Sequence, residues 1–402
     1  MRVLFVSSFF FPNSKGAGVY NRMLMFVDAF KYASQLDMLF YVPPDTDISP
    51  SAILEFETLL RRSWHPNLNL FLCPQNNKFA EMPRWQRELA SIFTAMTIAT
   101  GSRQIEAFDN CLARQPSLVF VHRISSMSPA LRTHKKLPPI FFDLDDIEHI
   151  KLARTIKYLS KSPLAPLNYL KVPAIFWAEY QAIRLADRTF VCSDIDRNYL
   201  THKLRLHGVV NLSNAVNVPA TQPITSAPTI LFLGGYSYLP NIEAANFLIE
   251  QIWSYIYSIM PEARLIIAGG GSECLRSYGK GVAGVEFTGF VEDLEALYRR
   301  SRIVCCPIFA GGGTRVKIIE AAAYGKPIVA NAIAIEGINL KNGREFIQCE
   351  IPKQFAEACL KLLKDDHLCA QLGANARLVA MQQYDRAAIV EQITQTIQDS
   401  MA

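Results

Sequence analysis

The sequence predicts an α/β protein built from two domains, each a parallel sheet covered by helices. Throughout its 402 residues, short apolar runs alternate with longer segments of helical period, and this alternation is typical of parallel strands joined by helices. The alternation stops at Val218–Pro223, which holds two prolines, and starts again at Ile230. Because about 150 residues per domain allows two or three domains, we place the boundary there and predict domains 1–218 and 219–385.

Nearly continuous apolar runs predict the strands of the first domain, and longer segments of helical period predict its helices. The strands are Val3–Ser7, Leu36–Val42, Leu118–Val121, Ile140–Asp143 and Thr189–Cys192, and the helices are Met23–Tyr32, Arg84–Phe108 and Phe176–Ala186.

The second domain repeats this pattern. Its predicted strands are Ile230–Leu233, Leu265–Ala268, Val285–Thr288, Ile303–Pro307 and Pro327–Ala330, and its predicted helices are Ile242–Met260, Leu294–Arg300 and Thr314–Tyr324, with Gly325 as a C-terminal stop. Glycine-rich segments follow several strands, and ligands of such sheets bind beyond the carboxyl ends of the strands.

Composition and charge exclude some classes of protein. Lys and Arg number 41 against 36 Asp and Glu, a net charge of +5 spread along the chain. This surplus disfavours nucleic acid as the partner and allows an anionic substrate or a loose contact with anionic lipid. The nine cysteines are never spaced as C-x-x-C, so we expect neither a disulfide framework nor a zinc site. We expect the protein to occupy a reducing compartment.

The apolar start of the chain has two interpretations. Val3–Val6 suits a buried strand, and the run with Arg2 also resembles a signal peptide, but no small-residue cleavage site follows it. We favour the strand. No run approaches the roughly 18 apolar residues that a membrane span needs, so any membrane contact is expected to be peripheral.

The segment Cys305–Asn331, CCPIFAGGGTRVKIIEAAAYGKPIVAN, predicts an anion site. Its glycines allow close approach of the backbone, the start of the following helix contributes partial positive charge, and Arg315 and Lys317 add two full charges. A phosphate is the natural occupant, although the P-loop pattern is absent. The Glu320 carboxylate can accept hydrogen bonds from sugar hydroxyls, or it merely pairs with Lys317 at i, i+3.

GGGTRVKIIEAAAYGKPIVA resembles the donor-binding segment of retaining family-4 glycosyltransferases, and FLGGYSYLPNIEAANFLIEQIWSYIYSIMPEARLIIAGGG resembles the start of their C-terminal domain. Weaker matches, among them VFVHR, FFDLDDIEH and NLSNAVN, follow the same order along the first half. The resemblance implies a GT-B fold, with two Rossmann-like domains facing across a cleft and a last helix, 386–402, returning to the first domain. It also implies sugar transfer from a nucleotide diphosphate donor with retention, without metal and without a further cofactor.

The chain departs from the resembled pattern at two places. Gly312 stands where the family usually has the first of two glutamates, so backbone amides of Gly312, Gly313 and Thr314 are expected to replace its contacts. The usual Arg and Lys after the first strand of the C-terminal domain are also missing, since the donor-side positions here are Gly234, Gly235 and Asn241. We therefore expect Arg315 and Lys317 to neutralise the diphosphate.

Other candidate residues follow from the same resemblance. Gly16 and Gly18 would border the diphosphate and the acceptor, and backbone groups of Phe290 and Val291 would contact the base. A dinucleotide fingerprint is the alternative for the first loop, but Asn21 occupies its third glycine position.

Polar residues after two strands of the first domain are candidates for the donor sugar and the acceptor. His122 would contact the donor sugar, or it is a structural histidine, and Arg123 would hold an anionic acceptor or phosphate. Asp143 and Asp146 are assigned to acceptor binding or loop structure. The alternative for Asp143-Leu144-Asp145 is a metal-binding D-x-D.

The sequence therefore predicts a cytoplasmic glycosyltransferase of polysaccharide biosynthesis, with a nucleotide-sugar donor and a sugar, lipid-linked or small-molecule acceptor. The helix around Trp177 either rests on the inner face of a membrane or packs inside the domain. The alternative functions are a nucleotide-sugar epimerase and a catalytically silent sugar-nucleotide-binding protein.

Overall fold

The computed structural model describes residues 1–8, 18–75, 101–159, 168–221 and 225–401. These residues form two compact units. The first unit holds Met1–Ile156, Lys161–Leu212 and Val390–Ala402, and the second holds Ser213–Ile389 with the short segment Lys157–Ser160, as far as these ranges are described.

The described part of the first unit contains a parallel sheet in the order β3-β2-β1-β4-β5-β6-β7. Its strands are β1 Arg2–Ser7, β2 Gln35–Val42, β3 Leu68–Pro74, β4 Leu118–His122, β5 Ile140–Asp145, β6 Arg188–Val191 and β7 Val209–Asn211. Its α-helices are Gly18–Ala29, Pro50–Ser63, Ser102–Leu112, Ser128–Arg132, Glu148–Leu159, Lys171–Leu185 and Asp194–Asn198.

All five strands predicted for the first domain are confirmed, and two further strands were missed. β3 is only partly buried and β7 has three residues, so neither produces a continuous apolar run. Of the predicted helix Arg84–Phe108, residues 84–100 lie outside the described residues, and the helix Ser102–Leu112 covers the last part of the prediction.

Phenylalanine rings form the core on one face of this sheet. Phe120 of β4 lies 4.9 Å from Phe5 of β1 and 4.6 Å from Phe26 of helix Gly18–Ala29, between ring centroids. Phe190 of β6 extends the cluster, 5.5 Å from Phe26. Buried aromatic pairs each add about 1 kcal/mol beyond the burial of their area, so the cluster fixes this helix against the sheet.

The described part of the second unit contains a parallel sheet in the order β10-β9-β8-β11-β12-β13. Its strands are β8 Thr229–Leu233, β9 Arg264–Ala268, β10 Val285–Gly289, β11 Ile303–Cys306, β12 Ile328–Ala330 and β13 Phe346–Gln348. Its α-helices are Leu239–Phe247, Ser254–Ile259, Leu294–Arg300, Val316–Ala323, Ala332–Ile335, Pro352–Lys364 and Asp366–Gln383.

The predicted helix Ile242–Met260 is interrupted by a wider π-helical turn at Leu248–Trp253. The five predicted strands of this domain are confirmed within one or two residues at their ends, and β13 was missed because it is short.

The division between the units differs from the boundary predicted at residues 218 and 219. Residues 213–218 belong to the second unit. The backbone explains this, because Val216 accepts a hydrogen bond from Arg386 at 3.0 Å and donates one to Tyr384 at 3.0 Å.

The last helix, Arg386–Met401, begins in the second unit and belongs to the first unit from Val390 onward. The Ser400 hydroxyl accepts a hydrogen bond from the Arg188 guanidinium at 3.1 Å, and the Thr394 hydroxyl donates one to the carbonyl of Ala29 at 3.5 Å.

All nine cysteines are free thiols. In the part of the chain that the structure describes, no helix combines the length and the apolar character needed to cross a membrane.

Candidate functional site

Gly234 follows β8 and Gly269 follows β9, and these two glycines lie against each other in the second unit. Gly269 has a φ of +128°, and a Cβ placed on it would lie 1.9 Å from the carbonyl oxygen of Gly234. No side chain fits that space, so the glycines allow the two loops to touch. Gly235 has open space around its Cα, with nothing within 4 Å of a Cβ placed there.

Lys317 brings its ammonium group to this point from helix Val316–Ala323. Its Nζ donates a hydrogen bond to Asn241 Oδ1 at 2.7 Å and lies 4.7 Å from the centroid of the Phe232 ring. A Cβ on Gly234 would approach this Nζ to 3.0 Å. An ammonium group has three N–H donors, so among the described residues two of them have no acceptor.

Asn241 holds the β8 loop and Lys317 together. Its side-chain amide donates to the carbonyl of Gly235 at 2.8 Å, while its oxygen accepts from Lys317. The sequence predicted that Asn241 binds the donor. In the structure its side chain contacts Lys317 and the backbone of Gly235.

Arg315 is buried and turned towards the glycine loop. Its Nη1 donates to the carbonyls of Gly312, at 3.3 Å, and Gly313. Its Nη2 is buried without a hydrogen-bond partner among the described residues and lies 4.0 Å from Glu336 Oε2. The guanidinium therefore holds the loop through Nη1, while Nη2 faces the Glu336 carboxylate and makes no hydrogen bond among the described residues.

Thr314 and Glu320 complete the segment. The Thr314 hydroxyl accepts a hydrogen bond from Asn214 at 2.9 Å. Glu320 is partly buried, and burial raises the pKa of its carboxyl group to about 7, although the charge of Lys317 acts in the opposite direction. The Lys317 ammonium donates to Asn241, and the salt bridges among the described residues include none between Lys317 and Glu320.

The residues predicted to contact the base follow β10. Phe290 is 58% exposed, and its Cβ lies 3.8 Å from where a Cβ on Gly270 would be. Val291 is partly buried and packs against the core of the second unit. The exposed ring therefore stands beside the glycine turn that follows β9.

In the first unit, Ser7, His122 and Asp143 lie side by side on β1, β4 and β5. His122 is wholly buried; its Nδ1 is 3.0 Å from the Ser7 hydroxyl, and its Nε2 has no hydrogen-bond partner and lies 3.8 Å from Asp143 Oδ2. Burial, followed by the charges of Arg123 and Arg22, lowers the pKa of His122 well below its ordinary value. The imidazole is therefore neutral.

Asp143 is paired inside the unit. Arg22 donates to Asp143 Oδ1 from Nη2 at 2.6 Å and to both carboxylate oxygens from Nε, and its Nη1 donates to the carbonyl of Leu212 at 2.9 Å. The sequence reasoning missed Arg22, and its signal was one arginine among the apolar residues of helix Gly18–Ala29. Because Arg22 occupies both oxygens of Asp143, the D-x-D pattern does not offer two open carboxylates, and the acceptor role predicted for Asp143 is not supported by its contacts.

Arg123 and Asp146 belong to a network of charged side chains after β4 and β5. Arg123 Nη2 donates to Glu148 Oε1 at 3.0 Å and lies 3.9 Å from Asp146. Lys151 donates to Glu148 at 2.6 Å and to Asp146 at 3.2 Å.

Of the two glycines predicted to border the diphosphate and the acceptor, Gly18 begins the helix Gly18–Ala29, whereas Gly16 lies outside the described residues.

Asp145, Asp146 and Cys192 form the one group of potential metal ligands found among the described residues, with ligand atoms within 4.8 Å of one another. Arg22 Nε lies 3.4 Å from Asp145, and Arg123 Nε lies 3.9 Å from it. Arginine side chains thus already supply positive charge at this cluster.

Comparison with known proteins agrees with this architecture. Residues 227–365, about a third of the chain, match the family model described as glycosyl transferases group 1. A phosphatidyl-myo-inositol mannosyltransferase of Mycobacterium leprae is 28% identical over 216 residues, which are 50% of this chain and 56% of that protein. An uncharacterized 44.6 kDa protein in the cps region of Klebsiella pneumoniae is 22% identical over 172 residues, 41% of this chain and 44% of that protein. The chain spans about half the length of these curated relatives.

Solved structures match nearly the whole chain. Sucrose-phosphate synthase from Thermosynechococcus elongatus has a TM-score of 0.70 at 17% identity, covering 99% of this chain and 98% of that one. Anabaena Alr3699/HepE in complex with UDP and glucose has a TM-score of 0.62 at 16% identity, covering 99% of both chains. The predicted fold class is confirmed: the chain has the GT-B fold of two Rossmann-like domains.

Proposed function

We propose that this protein is a glycosyltransferase that moves a sugar from a nucleotide diphosphate sugar to a glycan, lipid-linked or small-molecule acceptor. The observation that carries the proposal is the Lys317 ammonium, which is held by Asn241 beside the open Gly235 and has two uncommitted N–H donors among the described residues. The match of residues 227–365 to group 1 glycosyl transferases supports it, as does the phosphatidyl-myo-inositol mannosyltransferase relative.

The diphosphate of the donor binds at the start of helix Val316–Ala323. Lys317 neutralises it through the free N–H donors, and Arg315 holds the glycine loop with Nη1 and offers Nη2 to a phosphate oxygen. Negative charge grows on the diphosphate as the bond to the sugar breaks, so these cations stabilise the transition state more than the ground state.

The remaining contacts are hydrogen bonds to the sugar and to the base of the donor. Glu320 accepts hydrogen bonds from sugar hydroxyls, and backbone amides of Gly312, Gly313 and Thr314 take the role of the glutamate that this chain lacks. Backbone groups at Phe290 and Val291 contact the base.

We further propose transfer with retention of the anomeric configuration, with the acceptor hydroxyl attacking from the face that the diphosphate leaves. The reaction requires no metal and no cofactor besides the donor. The Klebsiella pneumoniae relative from a cps region supports a role in polysaccharide biosynthesis. A cytoplasmic location, with peripheral contact at the inner face of the membrane, suits a lipid-linked acceptor.

The donor site is tested by thermal unfolding with UDP, GDP, ADP and their sugar derivatives. A ligand at about 100 times its Kd stabilises the folded state by about 2.7 kcal/mol. We expect at least one nucleotide to raise the Tm of the wild type and of Lys353→Gln, a control lysine that is 72% exposed, and to have a much smaller effect on Lys317→Gln. Equal responses of both variants, or no response of the wild type, would contradict the proposal.

Turnover separates transfer from the alternative functions. Release of nucleoside diphosphate that depends on an added acceptor indicates transfer, isomerisation of the donor indicates an epimerase, and binding without turnover indicates a silent binding protein. Product analysis by NMR of the new anomeric centre then decides between retention and inversion.

A further inference from the structure

Phe290 has a ring that lies largely in solvent at the carboxyl end of β10. It is 58% exposed, the largest exposed fraction of any aromatic residue in the described part of the chain. The residue directly follows Gly289, with which the strand ends, and ligands of parallel sheets bind beyond the carboxyl ends of the strands. A single exposed apolar side chain needs no explanation by itself, so the surroundings of the ring decide what it can do.

The backbone around this ring is anchored and carries few side chains. The amide of Gly269 donates to the carbonyl of Gly289 at 2.8 Å, and Val291 packs against the core of the second unit, so both chain neighbours of Phe290 are held in place. Beside the ring, a Cβ on Gly270 would have the Phe290 Cβ, at 3.8 Å, as its one contact within 4 Å among the described residues other than its chain neighbours. A flat group can therefore lie on the ring without meeting a side chain of the glycine turn.

The distance from this ring to the Lys317 ammonium follows from the order of the strands. The order β10-β9-β8 places β10 two strands from β8. Adjacent strands lie about 4.8 Å apart, so the ends of β10 and β8 are about 10 Å apart. Lys317 Nζ lies at the end of β8, where a Cβ on Gly234 would approach it to 3.0 Å. In an extended nucleoside diphosphate, the ribose and one phosphate separate the base from the terminal phosphate by a comparable length.

Charge determines which end of such a ligand faces the ring. The Lys317 ammonium at the end of β8 attracts the diphosphate, whereas the next charged residues after Phe290 are Glu292 and Asp293, both acidic and exposed. Like charges repel at close range, so the uncharged base is the part of the ligand that suits the end of β10. An aromatic side chain stacks on bases of every kind, because every base has a π-face.

We propose that the Phe290 ring stacks on the nucleobase of the donor and that it contributes affinity without selecting among uracil, guanine and adenine. This inference rests on the proposed function, because it concerns the donor of the same transfer. It adds a side chain to a contact that the sequence assigned to backbone groups of Phe290 and Val291 alone. Selection among the bases then depends on those backbone groups, which can form hydrogen bonds with the edge of a base.

The test is isothermal titration of UDP, GDP and ADP, with inorganic pyrophosphate as a probe that has no base. Replacing an aromatic side chain that stacks on a base by alanine lowers the affinity about 5-fold to 150-fold. We expect Phe290→Ala to lower the affinity for each nucleotide that binds by a factor in this range, similar from one base to the next, and to leave the affinity for pyrophosphate unchanged. Lys317→Gln should weaken nucleotides and pyrophosphate alike, because it removes a charge that both bind.

Two further variants separate stacking from a general effect of losing a ring. Tyr255→Ala removes a ring that is 42% exposed on helix Ser254–Ile259, and it should leave every affinity unchanged. Phe290→Trp keeps a stacking ring, so it should bind nucleotides at least as tightly as the wild type, and a base lying on its indole should quench the added fluorescence. Phe290→Ala should unfold at the same urea concentration as the wild type, because substitutions of exposed side chains change stability little.

The inference is overturned if Phe290→Ala binds every nucleotide as tightly as the wild type, if this variant weakens pyrophosphate as much as the nucleotides, or if a bound nucleotide does not quench the added fluorescence of Phe290→Trp. These outcomes leave the proposed function intact, because that function is judged by nucleotide binding to the wild type and by Lys317→Gln. Failure of the wild type to bind any nucleotide would instead remove the donor site, and the inference with it.

Discussion

Replacing Gly234 by alanine tests the geometry of the donor site most directly. The added Cβ would lie 2.9 Å from Asn241 Cγ and 3.0 Å from Lys317 Nζ. Ordinary contacts between heavy atoms are about 3.5–4.0 Å, so both side chains must move by about half an ångström or more. Both are the ends of side chains and can move, so the fold should lose at most about 1 kcal/mol.

The larger cost falls on nucleotide binding, because the Lys317 ammonium, which lies 2.7 Å from Asn241 Oδ1, is displaced from the position in which it would donate to the diphosphate. A hydrogen bond to a charged group contributes about 1.5–3 kcal/mol, so displacing the ammonium should lower the affinity for UDP by about 10-fold to 150-fold. Isothermal titration measures this loss, and urea unfolding measures the stability of the same protein.

A double-mutant cycle supplies the control. If Gly234→Ala acts by displacing Lys317, it should add little to the loss already caused by Lys317→Gln. Fully additive losses, or a Gly234→Ala protein that binds UDP as the wild type does, would refute the reasoning.

Three further predictions concern stability. Gly269→Ala should destabilise the fold by about 2–5 kcal/mol, because its Cβ would meet the backbone of Gly234 and its φ is +128°; an unchanged urea midpoint would contradict the close approach. Arg22→Met should cost about 3–5 kcal/mol by leaving Asp143 buried and unpaired, and a loss below about 1 kcal/mol in urea unfolding would be evidence against that pairing. The folded state raises the pKa of Glu320 from 4.5 to about 7, so between these values it holds a proton that the unfolded chain has released. The free energy of unfolding should therefore fall as pH rises through this window, by up to about 3 kcal/mol, and Glu320→Gln should remove that part of the slope; equal slopes in urea titrations from about pH 5 to about pH 8 would count against it.

Local sequence determined the strands and the glycine loop. The buried strands are continuous apolar runs, and the segment Gly311–Lys317 carries its glycines and cations within one stretch of chain. Such features depend on near neighbours, and they predicted which sheet edges are candidates for ligand binding. The short strands β7 and β13 and the partly buried β3 lack that pattern and were missed.

The partners of the charged groups were decided by tertiary structure. Lys317 contacts Asn241. Arg22 of helix Gly18–Ala29 contacts Asp143 of β5, although the two residues are far apart in the sequence. These contacts follow from the order β1-β4-β5 in the first sheet and from the touching loops of β8 and β9 in the second. Strand order is set by packing between distant segments. The sequence by itself therefore determined the glycine loop with its two cations and the polar residues that follow the strands of the first sheet, and only the tertiary structure decided which side chains those charged groups contact.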